Sequence, residues 1–180
     1  MYSGLFVGNT SPNPGLLFSC YNVYMNDNVN FFSNAAPLAA SKIATGKQIY
    51  GTVNLISNIN TGTNSCISVF EQFSVQWLGY FKPSVSSTTW KFRTTSDDCS
   101  YLWIGNNAIT GFTTANSNIN NGGVHANITV ASTNITLDQN VYYPLRVQYG
   151  QGVGGFSMNL EFSSDGGTTW NSNGINLYFH

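Results

Sequence analysis

Charge is scarce in this sequence. Charged side chains make up 7% of its 180 residues, and six basic and seven acidic residues leave a formal net charge of -1. Such a chain has no basic field to attract nucleic acid or an anionic membrane surface, so we expect neither as a partner. Its solubility must come from uncharged polar side chains such as Asn, Ser, Thr and Gln, a composition common in secreted and cell-surface β-proteins.

Long apolar segments are also absent. No run approaches the roughly 18 to 20 apolar residues needed to cross a bilayer, so membrane insertion is not expected. The N-terminal sequence MYSGLFVGNTSPNPG lacks the basic start and the long apolar stretch of a signal peptide. Two explanations for exposure outside a cell therefore stay open: a leader that was removed, or another route such as assembly into a virus particle.

Cysteines are few. Cys20, Cys66 and Cys99 are the only three, and none has the C-x-x-C spacing typical of a zinc or redox site. Three thiols can form at most one internal disulfide, and the sequence does not determine which pair would form it. Buried free thiols are the alternative.

Aromatic residues, by contrast, are abundant. The chain has 12 Phe, 10 Tyr and 4 Trp within a hydrophobic content of 42%, which indicates a packed core rather than disorder. One core is sufficient at this length, so we expect a single domain over residues 1–180. Trp77, Trp90 and Trp103 lie in strand-like segments and are predicted to be core, whereas Trp170 follows a turn and is expected to be more exposed.

Short segments rich in β-branched and aromatic residues recur along the chain, separated by Asn, Gly, Ser and Pro clusters. Only residues 36–46, APLAASKIATG, have enough Ala to form a turn or two of helix. Arg93, Arg146 and Gln148 alternate with apolar neighbours, as expected for strands with one buried face. We therefore predict an all-β chain, a two-sheet sandwich or a barrel, with at most one or two short helices. The predicted strands cover residues 49–56, 66–81, 88–95, 100–105, 127–131, 134–137, 142–149 and 156–162, and residues 113–127 are predicted to be a long loop.

Two of the seven acidic residues, Asp97 and Asp98, are adjacent, in a segment without a nearby cation. Their mutual repulsion would be relieved by a bound metal. Because neighbouring side chains in an extended strand point to opposite faces, both can reach one ion only across a tight turn or a cis peptide bond. Ca²⁺ suits such a place, since it takes about six to eight oxygen ligands.

Further oxygens should come from residues 149–155, YGQGVGG. Its glycines let backbone carbonyls turn inward, and Gln151 offers a neutral side-chain oxygen. The alternative is an exposed Asp-Asp turn beside an ordinary glycine hairpin.

Three sequence blocks, residues 74–83, 90–105 and 142–155, resemble the PA14 domain family in order and spacing, including its flocculin, Epa-type and GLEYA adhesin branches. The resemblance covers roughly residues 15–180. It implies an antiparallel β-sandwich of jelly-roll type and, in the lectin branches, two adjacent Asp joined by a cis peptide that hold a Ca²⁺ to which sugar hydroxyls bind. Where many members have Gly or Ala after the pair, this chain has Cys99.

The resemblance implies a set of site residues by position. Its metal ligands would be Asp97, Asp98 and Gln151 with the backbone carbonyls of Val153 and Gly155. Its sugar contacts would be Asp97, Asp98, Gln151, Gly154 and Phe156. It thereby implies a calcium-dependent lectin or adhesin domain, extracellular or on a cell or virion surface, that binds glycans and gains strength from many copies. Residues 106–125 and 152–157 are expected to form the rim that selects the sugar.

Other functions have less support in the sequence. Glu71 and Glu161 could be imagined as glycosidase carboxylates, but both lie in strand-like segments and are expected to face solvent. His125 either borders the site or caps a loop, and it has no partner that suggests a triad or a zinc centre. The chain is therefore not expected to be an enzyme. The remaining alternative is a structural subunit of an extracellular or virion surface assembly, in which Ca²⁺ only stiffens loops.

Overall fold

Two antiparallel β-sheets make up the fold. The structure, a computed structural model, describes residues 12–33, 42–49, 51–53 and 71–180. Within these residues the helical segments are three short 3₁₀ turns, at Val29–Ser33, Asn106–Ala108 and Thr114–Asn116. The strands are β1 (Leu16–Tyr21), β2 (Lys42–Ile49), β3 (Phe73–Phe81), β4 (Ser87–Asp97), β5 (Ser100–Ile104), β6 (Ile119–Asn121), β7 (Ile128–Ala131), β8 (Ile135–Leu137), β9 (Tyr143–Gln151), β10 (Ser157–Ser163) and β11 (Tyr178–Phe179).

The sheets pack face to face as a sandwich. The larger sheet has the order β2-β1-β3-β9-β5-β6, with β11 also paired to β3. The smaller sheet has the order β10-β4-β7, with β8 also paired to β4. Apolar side chains from both sheets form one core, in which Phe81 of β3 contacts Phe92 of β4 and Phe162 of β10. The predicted all-β antiparallel sandwich is confirmed, and so is the burial of Trp77, Trp90 and Trp103.

The helix predicted over residues 36–46 is wrong in its second half. Residues 42–46 belong to β2, which pairs antiparallel with β1 and places Ala44 opposite Cys20; residues 36–41 lie outside the described residues. The Ala-rich composition favours a helix locally, but pairing with a neighbouring strand overrides so weak a preference. The segment predicted as a loop over residues 113–127 also contains a short strand, β6.

Part of the outer face of the large sheet is buried, contrary to the expectation of one solvent face. Gln76 and Gln148 are both buried there, and the Gln148 side-chain N–H donates to Gln76 Oε1 and to the backbone carbonyl of Val29 at 3.2 Å each. Arg146 also donates to Gln76, and its guanidinium lies 4.0 Å from the ring centroid of Phe112. Polar residues alternate as predicted, but they face a second covering layer rather than water.

That covering layer comes from two loop regions. Met25 and Val29, near the start of the chain, pack with Trp103, Ala108 and Phe112 in a second apolar cluster. Among the described residues no helix is long and apolar enough to span a membrane.

The described cysteines have different states. Cys20 is disulfide-bonded, Cys99 is a free buried thiol, and Cys66 lies outside the described residues.

Candidate functional site

The aspartate pair lies where the chain passes from one sheet to the other. Asp97 is the last residue of β4 in the small sheet, and β5 of the large sheet begins at Ser100. The peptide bond between Asp97 and Asp98 is cis, one of the two geometries expected for a pair that serves one ion. Asp97 is half-buried, whereas Asp98 is only 2% exposed.

Asp98 joins two loops that are distant in sequence. Its Oδ1 accepts a hydrogen bond from the backbone N–H of His125 at 3.0 Å, and its Oδ2 accepts one from the N–H of Gly152 at 2.8 Å. Hydrogen bonds to an ionised carboxylate are stronger than neutral ones, so a buried Asp98 is well accommodated. His125 thus borders the site, and its backbone N–H supplies the hydrogen bond to Asp98.

Asp97 is in a less favourable environment for charge. Its pKa is raised above the ordinary value, first by burial and then by the negative charge of Asp98, and the proximity of His125 offsets this only in part. An anion so placed favours any arrangement that brings positive charge to it.

The glycine loop between β9 and β10 contacts both carboxylates. A Cβ added at Gly152 would lie 3.3 Å from Asp98 Oδ2, and one added at Gly155 would lie 3.4 Å from Asp97 Oδ2. Gly154 has φ +93, a backbone conformation that residues other than glycine rarely adopt. The loop is exposed from Val153 to Gly155, so it brings accessible backbone next to the pair.

Gln151 and Tyr149 connect this loop to the pair from beneath. The buried Gln151 amide accepts a hydrogen bond from the Tyr149 hydroxyl at 2.8 Å and donates to the Gly155 carbonyl at 2.8 Å. The same hydroxyl is bonded to the Asp97 carbonyl. Tyr149 is not among the predicted site residues, although its position two residues before Gln151 places both on one face of β9.

The remaining predicted residues lie around this centre. The half-buried Phe156 packs on the core, edge-to-face with Phe73 at 5.9 Å between ring centroids. Val124 and Val153, which are 68% and 61% exposed, stand next to the two residues whose N–H groups hold Asp98. The rim beside the pair is therefore apolar on two sides.

Glu71 and Glu161, the two possible glycosidase carboxylates, lie outside this site. Glu161 forms a two-point ion pair with Arg93, at 2.7 and 2.9 Å, and Arg93 stacks 4.3 Å from the ring centroid of Trp170. Glu71 is exposed in the bend before β3. Trp170 is half-buried, so it is more exposed than the three buried tryptophans, as expected.

The donor set suits a hard cation. Within the part of the chain that the structure describes, no three His, Cys, Asp or Glu side chains cluster as metal ligands. Two carboxylates, one amide oxygen and exposed loop carbonyls are instead available, and oxygen ligands of this kind are those that Ca²⁺ takes.

Comparison with solved structures finds similar folds at low identity. The chain matches an anti-sigma factor domain-containing protein with TM-score 0.66 and 18% identity, covering 93% of this chain and 48% of that one, about half its length. It matches the PA14 domain of the MpAFP antifreeze protein with TM-score 0.63 and 17% identity, covering 98% and 95%. It matches the Epithelial Adhesin 6 A domain from Candida glabrata, in complex with Galβ1-3GlcNAc, with TM-score 0.62 and 18% identity, covering 94% and 88%.

A sequence model of one protein family also matches the chain. No curated protein matches the chain. The GLEYA domain model matches residues 73–164, which include both the aspartate pair and the glycine loop. The chain belongs to the GLEYA domain family, within the PA14 and Epa-type adhesin fold.

Proposed function

We propose that this chain is a calcium-dependent carbohydrate-binding domain of an extracellular or cell-surface adhesin. The observation that carries the proposal is the meeting of Asp97 and Asp98 with an exposed glycine loop at one corner of a GLEYA domain. The sugar-bound Candida glabrata adhesin domain, which shares the fold, supports the choice of ligand class.

The metal would be held by the two carboxylates, the side-chain oxygen of Gln151 and the backbone carbonyls of Val153 and Gly155. An amide oxygen has two lone pairs, so Gln151 can accept from Tyr149 and still offer one pair to a cation. Bound Ca²⁺ would supply positive charge and coordination positions for two neighbouring sugar hydroxyls.

The chain itself would position the sugar. Asp97, half-buried at the surface, can accept charge-assisted hydrogen bonds from sugar hydroxyls. Asp98 and Gln151 would complete the polar surface below the sugar. Gly154 presents no side chain to a sugar ring, while the half-buried Phe156 would contribute an apolar edge.

Adhesion through such a site would depend on copy number. A millimolar dissociation constant corresponds to about -4 kcal/mol, which one small sugar contact can supply. Many copies on one surface would raise the overall strength by about 10² to 10⁴ without a new contact.

The test combines metal, ligand and variant. Calcium binding would be measured by calorimetry, and glycan binding on an array with the domain displayed multivalently, each with calcium and with EDTA. We expect Asp97→Asn and Asp98→Ala to abolish both, and Asp138→Asn, an exposed acidic residue beyond β8 at the other end of β4, to change neither. Glycan binding that persists in EDTA would refute the mechanism. Calcium binding with no glycan bound would favour the structural alternative.

A further inference from the structure

The loop that holds Asp98 Oδ1 is supported by a residue from the start of the chain. One oxygen of Asp27, Oδ1, accepts from the N–H of Gly123 at 3.0 Å and from the Tyr101 hydroxyl at 2.7 Å. Gly123 is 96 residues away along the chain and lies two residues before His125, whose N–H donates to Asp98 at 3.0 Å. Asp27 and Asp98 are therefore linked through a single short stretch of backbone.

That stretch rests directly on Tyr101. A Cβ added at Gly122 would lie 2.2 Å from the Tyr101 hydroxyl oxygen, far inside contact distance, and Gly123 has φ +99. The loop can take this path only because both positions are glycine. With such freedom in the unfolded chain, an external hydrogen bond is needed to select one conformation.

Asp27 is itself held firmly by the large sheet. Its φ of 59 places it in a tight turn in which its carbonyl accepts from Val29 N–H at 3.1 Å. Met25, in the same turn, donates its N–H to the Ser74 hydroxyl of β3 at 2.8 Å. A series of hydrogen bonds and short backbone segments therefore connects β3, the turn around Asp27, Gly123 and Asp98.

We propose that Asp27 is a positioning residue for the calcium and glycan site: by binding Gly123 and Tyr101 it fixes residues 122–125, so that the His125 N–H meets Asp98. This inference rests on the proposed function, because Asp98 is the carboxylate assigned there to the metal. Asp27 acts through its acceptor oxygen rather than its charge, since both of its partners are neutral donors.

The test separates the acceptor from the charge. Asp27→Asn keeps an oxygen at the same position, Asp27→Ala removes it, and Asp138→Ala removes the same charge at the far end of β4. Amide hydrogen exchange at residues 122–125 would be measured by NMR in calcium-free protein, and calcium affinity by calorimetry.

We expect Asp27→Ala to accelerate exchange at these amides and to weaken calcium binding, each about tenfold, the size of effect that loss of about one hydrogen bond produces. In Asp27→Asn and Asp138→Ala, both the exchange rates and the calcium affinity should stay within about twofold of the wild type. A twofold change is less than half the free-energy effect of that bond. Equal weakening by Asp27→Asn and Asp27→Ala would show that charge, not position, matters, and would overturn the proposal. Unchanged exchange in Asp27→Ala would overturn it too.

Two further outcomes are distinguishable. If the wild type binds no calcium, the proposed function fails, but the exchange comparison in calcium-free protein still decides the role of Asp27. If Asp27→Ala does not fold, Tyr101→Phe keeps the ring and removes only the hydroxyl that donates to Asp27 Oδ1. Faster exchange at residues 122–125 in that variant would support the proposal, and unchanged exchange would contradict it.

Discussion

The Tyr149 hydroxyl is the polar group whose removal tests the site most directly without changing its charge. Tyr149→Phe keeps the ring in the core and deletes the hydrogen that Gln151 Oε1 and the Asp97 carbonyl share. Burial raises the pKa of Tyr149 far above its ordinary value, so the hydroxyl remains a donor at any working pH.

The size of the effect follows from this geometry. One lost hydrogen bond is worth about 1 kcal/mol, and the buried Gln151 oxygen left without its donor adds about 1 kcal/mol more. A total of about 2 kcal/mol would lower the melting temperature of a domain of this size by about 4 to 8 °C. Calcium affinity should fall in parallel, because the variant releases both Gln151 and the Asp97 backbone.

Tyr178→Phe is a matched control. The Tyr178 hydroxyl is also buried, but it finds no hydrogen-bond partner among the described residues. Removing a buried hydroxyl that is already unpaired should leave stability unchanged or raise it. Urea unfolding of both variants, followed by tryptophan fluorescence, gives the comparison. Equal losses in the two variants, or a loss in Tyr178→Phe alone, would refute the assigned role of Tyr149.

Two further predictions concern pH. Burial raises the pKa of the Cys99 thiol from 9.0 to about 12. As the pH rises, the unfolded chain loses this proton before the folded protein does, which favours unfolding. The free energy of unfolding should therefore fall between pH 9 and pH 12. Cys99→Ala should reduce that fall in unfolding experiments, and an unchanged slope would contradict it. Hydrogen bonds from Ser163 and Thr169 lower the pKa of Asp165 well below its ordinary value. In the unfolded chain this carboxyl has its usual pKa of about 3.9. The stabilisation by Asp165 should therefore be fully present above about pH 4 and be lost as the pH falls further. Asp165→Asn should make acid unfolding less steep, and the wild-type steepness would argue against this role.

The strands and the glycine loop were predictable because their signals are local. Alternation indicated β4 and β9, and the glycine-rich sequence around Gln151 indicated the loop that meets the aspartates. The direction of β-side chains also predicted that Asp97 and Asp98 need a bent or cis backbone.

The second covering layer was not predictable in the same way. Gln76 and Gln148 alternate with apolar residues as a solvent face would, and only long-range packing of the segment around Val29 buries them. Asp27 was missed for a similar reason. Its sequence, YMNDN at residues 24–28, indicates a turn, but nothing local shows that the turn lies against Gly123.

The covering layer has a practical consequence for where the domain can be cut. The family match begins at the first residue of β3, yet β1 pairs along β3 and the turn containing Met25 is bonded to Ser74. A fragment limited to residues 73–164 would lose these partners and expose the amide row of Gln76 and Gln148 to water. An expressible unit should therefore start before β1 and continue through β11, so the functional domain is longer than the segment by which it is recognised.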